Sequence, residues 1–158
     1  MSTVFDIVIV GGGMAGCALA CALADVNCSI AIVENQTPKP FSAEDFFDPR
    51  VVALSVASRQ FLTQLGVWDS IAAQRISAFD RMHVWDAEGT AHIGFDAAEV
   101  QQSALGYIVE NNLLVSVLRE RSQQQKNVQW LCPDAVVNLH DQHNADYATL
   151  MLNSGTEI

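Results

Sequence analysis

The chain has 158 residues, half of them hydrophobic, and a formal charge of -10. That is about one domain's length with enough apolar material for a packed core, which argues against a disordered chain. The acidic balance, with no cluster of Lys or Arg to override it, argues against a nucleic-acid partner.

The chain opens with Phe5-Asp6-Ile7-Val8-Ile9-Val10, an apolar run that reads as a strand buried on both faces. It runs into Gly11-Gly12-Gly13-Met14-Ala15-Gly16. Gly11 allows a tight turn, Gly13 leaves room for a pyrophosphate to approach the backbone, and Gly16 lets the following helix pack closely on the sheet. The phosphates then lie over the first helical turn, where free N–H groups and the positive dipole end face an anion. Ala20 and Ala24 continue the small face of that helix. The uncharged stretch from Ile7 to Ala24 also has the look of a signal peptide or membrane span, but its four glycines, the acid in front and the lack of a preceding basic residue speak against both.

Ser29-Ile30-Ala31-Ile32-Val33 reads as a second strand ending at Glu34. A carboxylate there accepts hydrogen bonds from both hydroxyls of an adenosine ribose and repels a 2′-phosphate, so FAD or NAD is expected and NADP is not. A GxGxxG alone is a weak signal. Strand, glycines, helix and terminal acid in this order make a nucleotide-binding unit.

Thr37-Pro38-Lys39-Pro40 stops the second strand, and Phe41 to Asp48 reads as an acidic loop with three exposed phenylalanines, mobile near a ligand. Asp48 to Leu54 is extended. Ser55 then caps a helix carrying Ala57, Phe61, Leu62 and Leu65, with Gly66 just past its end, and Asp69 caps a short helix through Ile71 and Ala72. Arg81 to Asp96 alternates around Ala87-Glu88-Gly89-Thr90 as a β-hairpin. Tyr107-Ile108-Val109 is extended, and a helix follows from about Asn112 to Gln124, with Leu114, Val117 and Leu118 inward and Arg119, Glu120 and Arg121 outward. Val128-Gln129-Trp130-Leu131 is the third parallel strand, ended by Pro133. Ala135 to His140 and Tyr147 to Asn153 form an antiparallel meander, and Ser154-Gly155 begins a turn to a further strand.

Cys17, Cys21, Cys28 and Cys132 contain no CxxC pair and read as buried reduced thiols. No metal site is expected; His140, Asp141 and His143 fall in a polar stretch that reads as a solvated hairpin turn.

These segments together resemble the para-hydroxybenzoate-hydroxylase-like flavoprotein monooxygenases, and most closely the ubiquinone-biosynthesis hydroxylases among them. The resemblance covers essentially the whole chain. It rests on Asp6 to Gly16, on Arg50-Val51-Val52-Ala53-Leu54-Ser55 followed by Leu62-Thr63-Gln64-Leu65-Gly66-Val67-Trp68, on Val84-Trp85-Asp86, and on Leu105-Gly106-Tyr107-Ile108-Val109-Glu110-Asn111 before Leu114 and Leu118. The first motif is common to many flavoproteins; the other three are more specific. The implied fold is α/β: a Rossmann-like FAD-binding fold with a parallel sheet, a β-hairpin excursion and an antiparallel meander, truncated.

The resemblance implies that Gly11, Gly13 and Gly16, with the backbone of Met14 and Ala15, hold the FAD pyrophosphate and that Glu34 holds the adenosine ribose. Arg50 matches an arginine that contacts the cofactor; a guanidinium suits a diphosphate, and the residue also reads as a plain surface cation. Asn111 matches a polar position that reaches the ribityl chain or phosphates, and as a bare feature it is an N-cap. Val136 matches a position whose backbone lies near the adenine. The implied activity is hydroxylation of a prenylated phenol ring with NAD(P)H as donor and O2 as co-substrate, by a cytoplasmic enzyme, peripheral at the inner membrane face or held in a biosynthetic complex. No catalytic side chain is expected, because the cofactor does the chemistry.

The family continues with further FAD motifs and a substrate-binding sheet that this sequence lacks, so residues 1–158 are expected to be the N-terminal portion of an FAD-binding domain, inactive alone. Two other readings stand beside it: an FAD- or NAD-dependent oxidoreductase that does not hydroxylate, and a non-catalytic nucleotide-binding fragment.

Overall fold

The computed structural model describes residues 3–141 and 147–158. In chain order its elements are β1 (Ile7–Val10), α1 (Met14–Ala22), β2 (Ile30–Val33), β3 (Val51–Ser55), α2 (Val56–Gln64), α3 (Trp68–Ala72), β4 (Ile76–Phe79), β5 (Arg81–Trp85), β6 (His92–Asp96), a 3-10 turn (Ala97–Val100), β7 (Gly106–Glu110), α4 (Asn111–Gln123), β8 (Val128–Leu131), β9 (Val136–Asp141) and β10 (Ala148–Leu152). They fall into two compact units, one of Met1–Pro40 with Val115–Ile158 and the other of Phe41–Leu114.

In the first unit a parallel sheet runs in the order β1-β2-β8, with Ile30 in register with both Ile7 and Val128. All four residues of β2 are buried, as a central strand covered on both faces requires. β1 departs from expectation: among the described residues it is an edge strand, Val8 is only half-buried, and Val10 is 64% exposed. The doubly buried strand is therefore the second.

The core here joins Ile9, Ala20, Ile30 and Ile32, with Trp130, Val128 and Leu23 packed against it. Burying each isoleucine is worth about 1.5–3 kcal/mol. α1 presents Cys17 and Ala20, both wholly buried, so its axis lies close to the sheet. It stops at Ala22, which leaves Ala24 outside the helix. Asn127 holds the turn that follows: its Nδ2 donates to the carbonyls of Leu23, Val26 and Cys28 at 3.1, 3.3 and 3.2 Å. At the start of the sheet the Asp6 carboxylate accepts from the Ser29 amide at 2.6 Å and the Ser29 hydroxyl at 2.8 Å, and these bonds hold its pKa below the usual value.

The meander is present: β9 pairs antiparallel with β10, with a register shift between Met151 and Leu152. The turn at Ser154-Gly155 leads back as expected, with Met151 bridged to Glu157 and Gly155 at φ +84°. The expected hairpin turn that includes His143 lies outside the described residues.

The second unit is built on an antiparallel sheet in the order β3-β7-β4, with Leu54 opposite Tyr107 and Val52 opposite Val109. Leu54 and Val109 are buried and the alternate residues Val51, Ala53 and Ser55 are exposed, the pattern of a sheet covered on one face. α2 packs on β3 and β7. Its N-terminus is capped as expected by Ser55, whose Oγ accepts the Ser58 N–H at 3.1 Å, and Gly66 takes φ +72° just beyond its end. The Trp68 and Tyr107 rings meet edge-on at 5.0 Å.

The hairpin appears as β5 and β6, with Arg81 opposite Asp96 and Val84 opposite Ile93. β4 and the 3-10 turn were not anticipated. Asp69 lies within the first turn of α3, and the N-cap is Val67. Phe41 is half-buried, whereas Phe46 and Phe47 are exposed as expected.

Candidate cofactor site

The glycine turn of the first unit has the geometry that a phosphate needs. Gly11 takes φ +105°, a conformation that L side chains rarely adopt, and its N–H donates to Val33 O at 2.8 Å, which ties the turn to β2. Gly13 is the N-cap of α1, and a Cβ added there meets nothing within 4 Å: the space above it is open. Gly16 is the opposite case. A Cβ there would collide with the Gly11 carbonyl oxygen and press on Ile9 Cγ2 at 3.1 Å.

The first intrahelical bond runs from Cys17 N–H to Gly13 O at 3.0 Å. By helix geometry the N–H groups of Met14, Ala15 and Gly16 precede it and point out of the N-terminus, where an anion is favoured. The residues present fit a diphosphate: open space over Gly13, backbone donors and no side chain in the way.

Glu34 follows β2 directly. Its Oε2 accepts the Gly12 N–H at 2.7 Å and its Oε1 accepts the Gln36 N–H at 2.9 Å. A carboxylate oxygen has two lone-pair directions, so each retains one for a ribose hydroxyl. Val136, the first residue of β9, is half-buried and pairs with Leu152.

Residues other than the three glycines that define the pattern also shape this turn. Gly12 has no room for a side chain, since a Cβ would sit 2.6 Å from Trp130 Cζ3. The Trp130 indole N–H donates to Ser122 Oγ at 3.2 Å and its ring carries the Arg119 guanidinium 5.2 Å from its centroid. Arg119 also donates to Pro38 O, so it does not face outward as its helical position suggested. Cys17 lies beneath the turn, its Sγ donating to Gly12 O at 3.1 Å. Burial, with the Cys21 thiol as a lesser cause, pushes its pKa to about 12. Cys17 and Cys21 are buried free thiols as expected, whereas Cys28 and Cys132 are only half-buried. Among the described residues no cluster of ligands suits a metal ion.

In the second unit Arg50 precedes β3 and its side chain is 76% exposed. Its N–H donates to Asp48 Oδ1 at 2.9 Å and its Nη2 to Asp48 Oδ2 at 3.2 Å. These bonds hold the Asp48 carboxyl below its usual pKa. Asn111 is the first residue of α4 and not a cap before it, and its N–H donates to Arg50 O at 2.9 Å. Arg50 and Asn111, 61 positions apart in sequence, are thus neighbours across β3 and β7. The loop before Arg50 is held by Arg75, which no sequence motif marked, and by Glu110, which lies in the Leu105–Asn111 segment without having been assigned a role.

The family described as the NAD(P)-binding Rossmann-like domain matches residues 9–63. The chain is 40% identical to 3-demethoxyubiquinol 3-hydroxylase of Escherichia coli (strain K12) over 97% of its own length and 38% of that protein. It is 37% identical to the mitochondrial ubiquinone biosynthesis monooxygenase COQ6 of Homo sapiens over 75% of its length and 26% of that protein. The chain therefore spans well under half of the curated relatives it matches. Among solved structures, p-nitrophenol 4-monooxygenase PnpA from Pseudomonas putida DLL-E4 aligns with a TM-score of 0.71 at 19% identity, covering 100% of this chain and 38% of that one. PqsL of Pseudomonas aeruginosa, described as a probable FAD-dependent monooxygenase, aligns at 0.71 and 18% over 97% of this chain and 39% of that one. At such identities the solved structures establish the fold, a Rossmann-like α/β arrangement. Over the length it spans, the chain is a Rossmann-like α/β fold similar in sequence to ubiquinone-biosynthesis hydroxylases.

Proposed function

We propose that this chain is the FAD-binding part of a flavin-dependent monooxygenase that hydroxylates a prenylated phenol ring in ubiquinone biosynthesis, with NAD(P)H as donor and O2 as co-substrate. The observation that carries the reading is the open space over Gly13 at the start of α1, framed by Gly11 at φ +105° and by Glu34. The similarity to ubiquinone-biosynthesis hydroxylases supports the choice of reaction.

In this reading the backbone N–H groups of Met14, Ala15 and Gly16 bind the pyrophosphate, and Gly11 and Gly13 keep side chains out of its path. Glu34 orients the adenosine ribose through both hydroxyls, and the backbone near Val136 lies against the adenine. Arg50 contributes a full positive charge, releasing Asp48 to meet a phosphate oxygen, and Asn111 offers an amide to the ribityl chain or phosphates. Bound FAD supplies electron transfer from a nicotinamide and the activation of oxygen. The part proposed for this chain in that step is binding and orientation. In functional terms residues 1–158 belong to one FAD-binding domain.

The prenyl tail expected of such a substrate places the enzyme at a membrane surface as a peripheral protein. Among the described residues no helix is long and apolar enough to cross a membrane.

The test is a titration of the full-length protein with FAD, followed by turnover with NAD(P)H and a prenylated phenol. Quenching of flavin fluorescence and hydroxylated product are expected. Flavin reoxidation that yields only hydrogen peroxide would instead favour the non-hydroxylating oxidoreductase, and failure to take up FAD would favour a non-catalytic fragment.

A further inference from the structure

Glu110 is the last residue of β7, and its side chain is 4% exposed. Its partner Arg75 lies just before β4, with Nε 3.0 Å from Glu110 Oε1 as an ion-pair contact that is not aligned as a hydrogen bond. The remaining donors of Arg75 reach into the loop before Arg50. Nη1 donates to Asp45 O at 2.9 Å, and Nη2 donates to Ser42 O at 3.3 Å and to Glu110 Oε2 at 3.4 Å. The guanidinium also lies over two rings of the same loop, 5.1 Å from the Phe41 centroid and 4.4 Å from that of Phe47.

Glu110 completes the hold. Its Oε2 accepts the Asp48 N–H at 2.8 Å, and Asp48 in turn accepts the N–H of Arg50. A continuous path therefore runs from Arg75 through Glu110 and Asp48 to Arg50. The Arg50 backbone is fixed at both of its polar groups, by Asp48 on its N–H and by Asn111 on its carbonyl, while its side chain remains exposed.

A buried ion pair is weak evidence for stability, because removing both charges from water offsets most of the attraction. Holding a loop in its binding conformation has another consequence: less freedom is lost when a ligand arrives. We propose that Arg75 and Glu110 are positioning residues for cofactor binding, which act through Asp48 by presetting Arg50. This inference rests on Arg50 being a cofactor contact.

The experiment is a double-mutant cycle on the full-length protein, with the FAD dissociation constant as readout. Arg50→Ala is expected to weaken FAD binding roughly tenfold, as loss of a charge-assisted contact does. Glu110→Gln is expected to weaken it about fivefold when Arg50 is present, and by less than about twofold in the Arg50→Ala background, the margin within which independent sites add. Amide exchange of residues 45–48 is expected to quicken in Glu110→Gln. Arg75→Lys serves as the second variant: it keeps the charge but loses the forked donation, and the same dependence on Arg50 is expected.

If Arg50→Ala weakens binding while Glu110→Gln and Arg75→Lys do not, or weaken it equally in both backgrounds, the positioning role is wrong and the Arg50 contact stands. If Arg50→Ala leaves the affinity unchanged, the contact itself is wrong and the positioning role falls with it.

Discussion

The Glu34 carboxylate and the Gly12 amide are joined by a hydrogen bond of 2.7 Å, so the acid at the end of β2 and the glycine turn after β1 form one rigid corner without any ligand. The bond gives Glu34 the task of fixing the turn, beside its proposed task of offering its remaining lone pairs to a ribose. Glu34→Gln keeps the shape, removes the charge and puts an N–H donor at one of the two positions that now accept. FAD affinity is expected to fall roughly tenfold, with a loss of about 1 kcal/mol in stability. Flavin fluorescence titration and thermal unfolding of the same variant check both.

Gly13 and Gly16 separate function from folding. A methyl group at Gly13 meets nothing in the protein, so Gly13→Ala is expected to leave the melting temperature nearly unchanged while weakening FAD at least tenfold by filling the phosphate space. A methyl group at Gly16 would overlap the Gly11 carbonyl, so Gly16→Ala must push α1 off its strand, a loss of about 2–4 kcal/mol. Equal melting temperatures for the two variants would refute this division.

Local order explains what was legible in the sequence. The turn at Gly11–Gly16, Glu34, the Ser55 cap and the three parallel strands are written in short contiguous stretches, each with its own steric or capping reason. The burial of β1 was misread because an apolar run does not reveal whether a strand is central or at an edge; that depends on pairing. β4 was missed because Ile76-Ser77-Ala78-Phe79 has little β-branched character and becomes a strand by pairing with β7. Arg119 was read as outward because helical phase alone cannot show Trp130 waiting beneath it. Glu110 lies inside the Leu105–Asn111 segment, but nothing local there or at Arg75 shows their ion pair, which arises only where the end of β7 meets the loop at Asp48.

Cys17 should be unreactive despite lying beneath the turn proposed to meet a cofactor. Its burial and a pKa of about 12 leave no thiolate at neutral pH, so a thiol reagent at pH 8 is expected to label Cys17 only as fast as the protein unfolds. The folded pKa lies above the ordinary thiol value near 9. The stability that Cys17 contributes is therefore full below about pH 9 and is lost as pH rises toward 12. Cys17→Ala is expected to flatten that alkaline limb in a series of melting temperatures. Labelling of Cys17 in the native state faster than global unfolding would overturn the assignment.

Asn127 offers the sharpest test of what closes the Rossmann turn behind the site. Its single Nδ2 reaches three carbonyls beyond the end of α1, those of Leu23, Val26 and Cys28, of which Leu23 O also accepts the Val26 N–H and Val26 O the Cys28 N–H. Asn127→Ala removes the donor that ties the three together, leaves the Cys28 carbonyl without its bond, and is expected to lose about 1–3 kcal/mol. Asn127→Asp is nearly the same shape but should be worse at neutral pH, because it sets a carboxylate against three carbonyl oxygens. Repulsion there raises the folded pKa above the unfolded value near 4, so its deficit relative to wild type should grow as pH rises from about 4 and shrink again on acidification. An Asp variant as stable as Ala at pH 7, or one whose deficit does not change between pH 4 and 7, would show that the amide does not carry the turn. Chemical denaturation at the two pH values, with wild type measured alongside, decides between them.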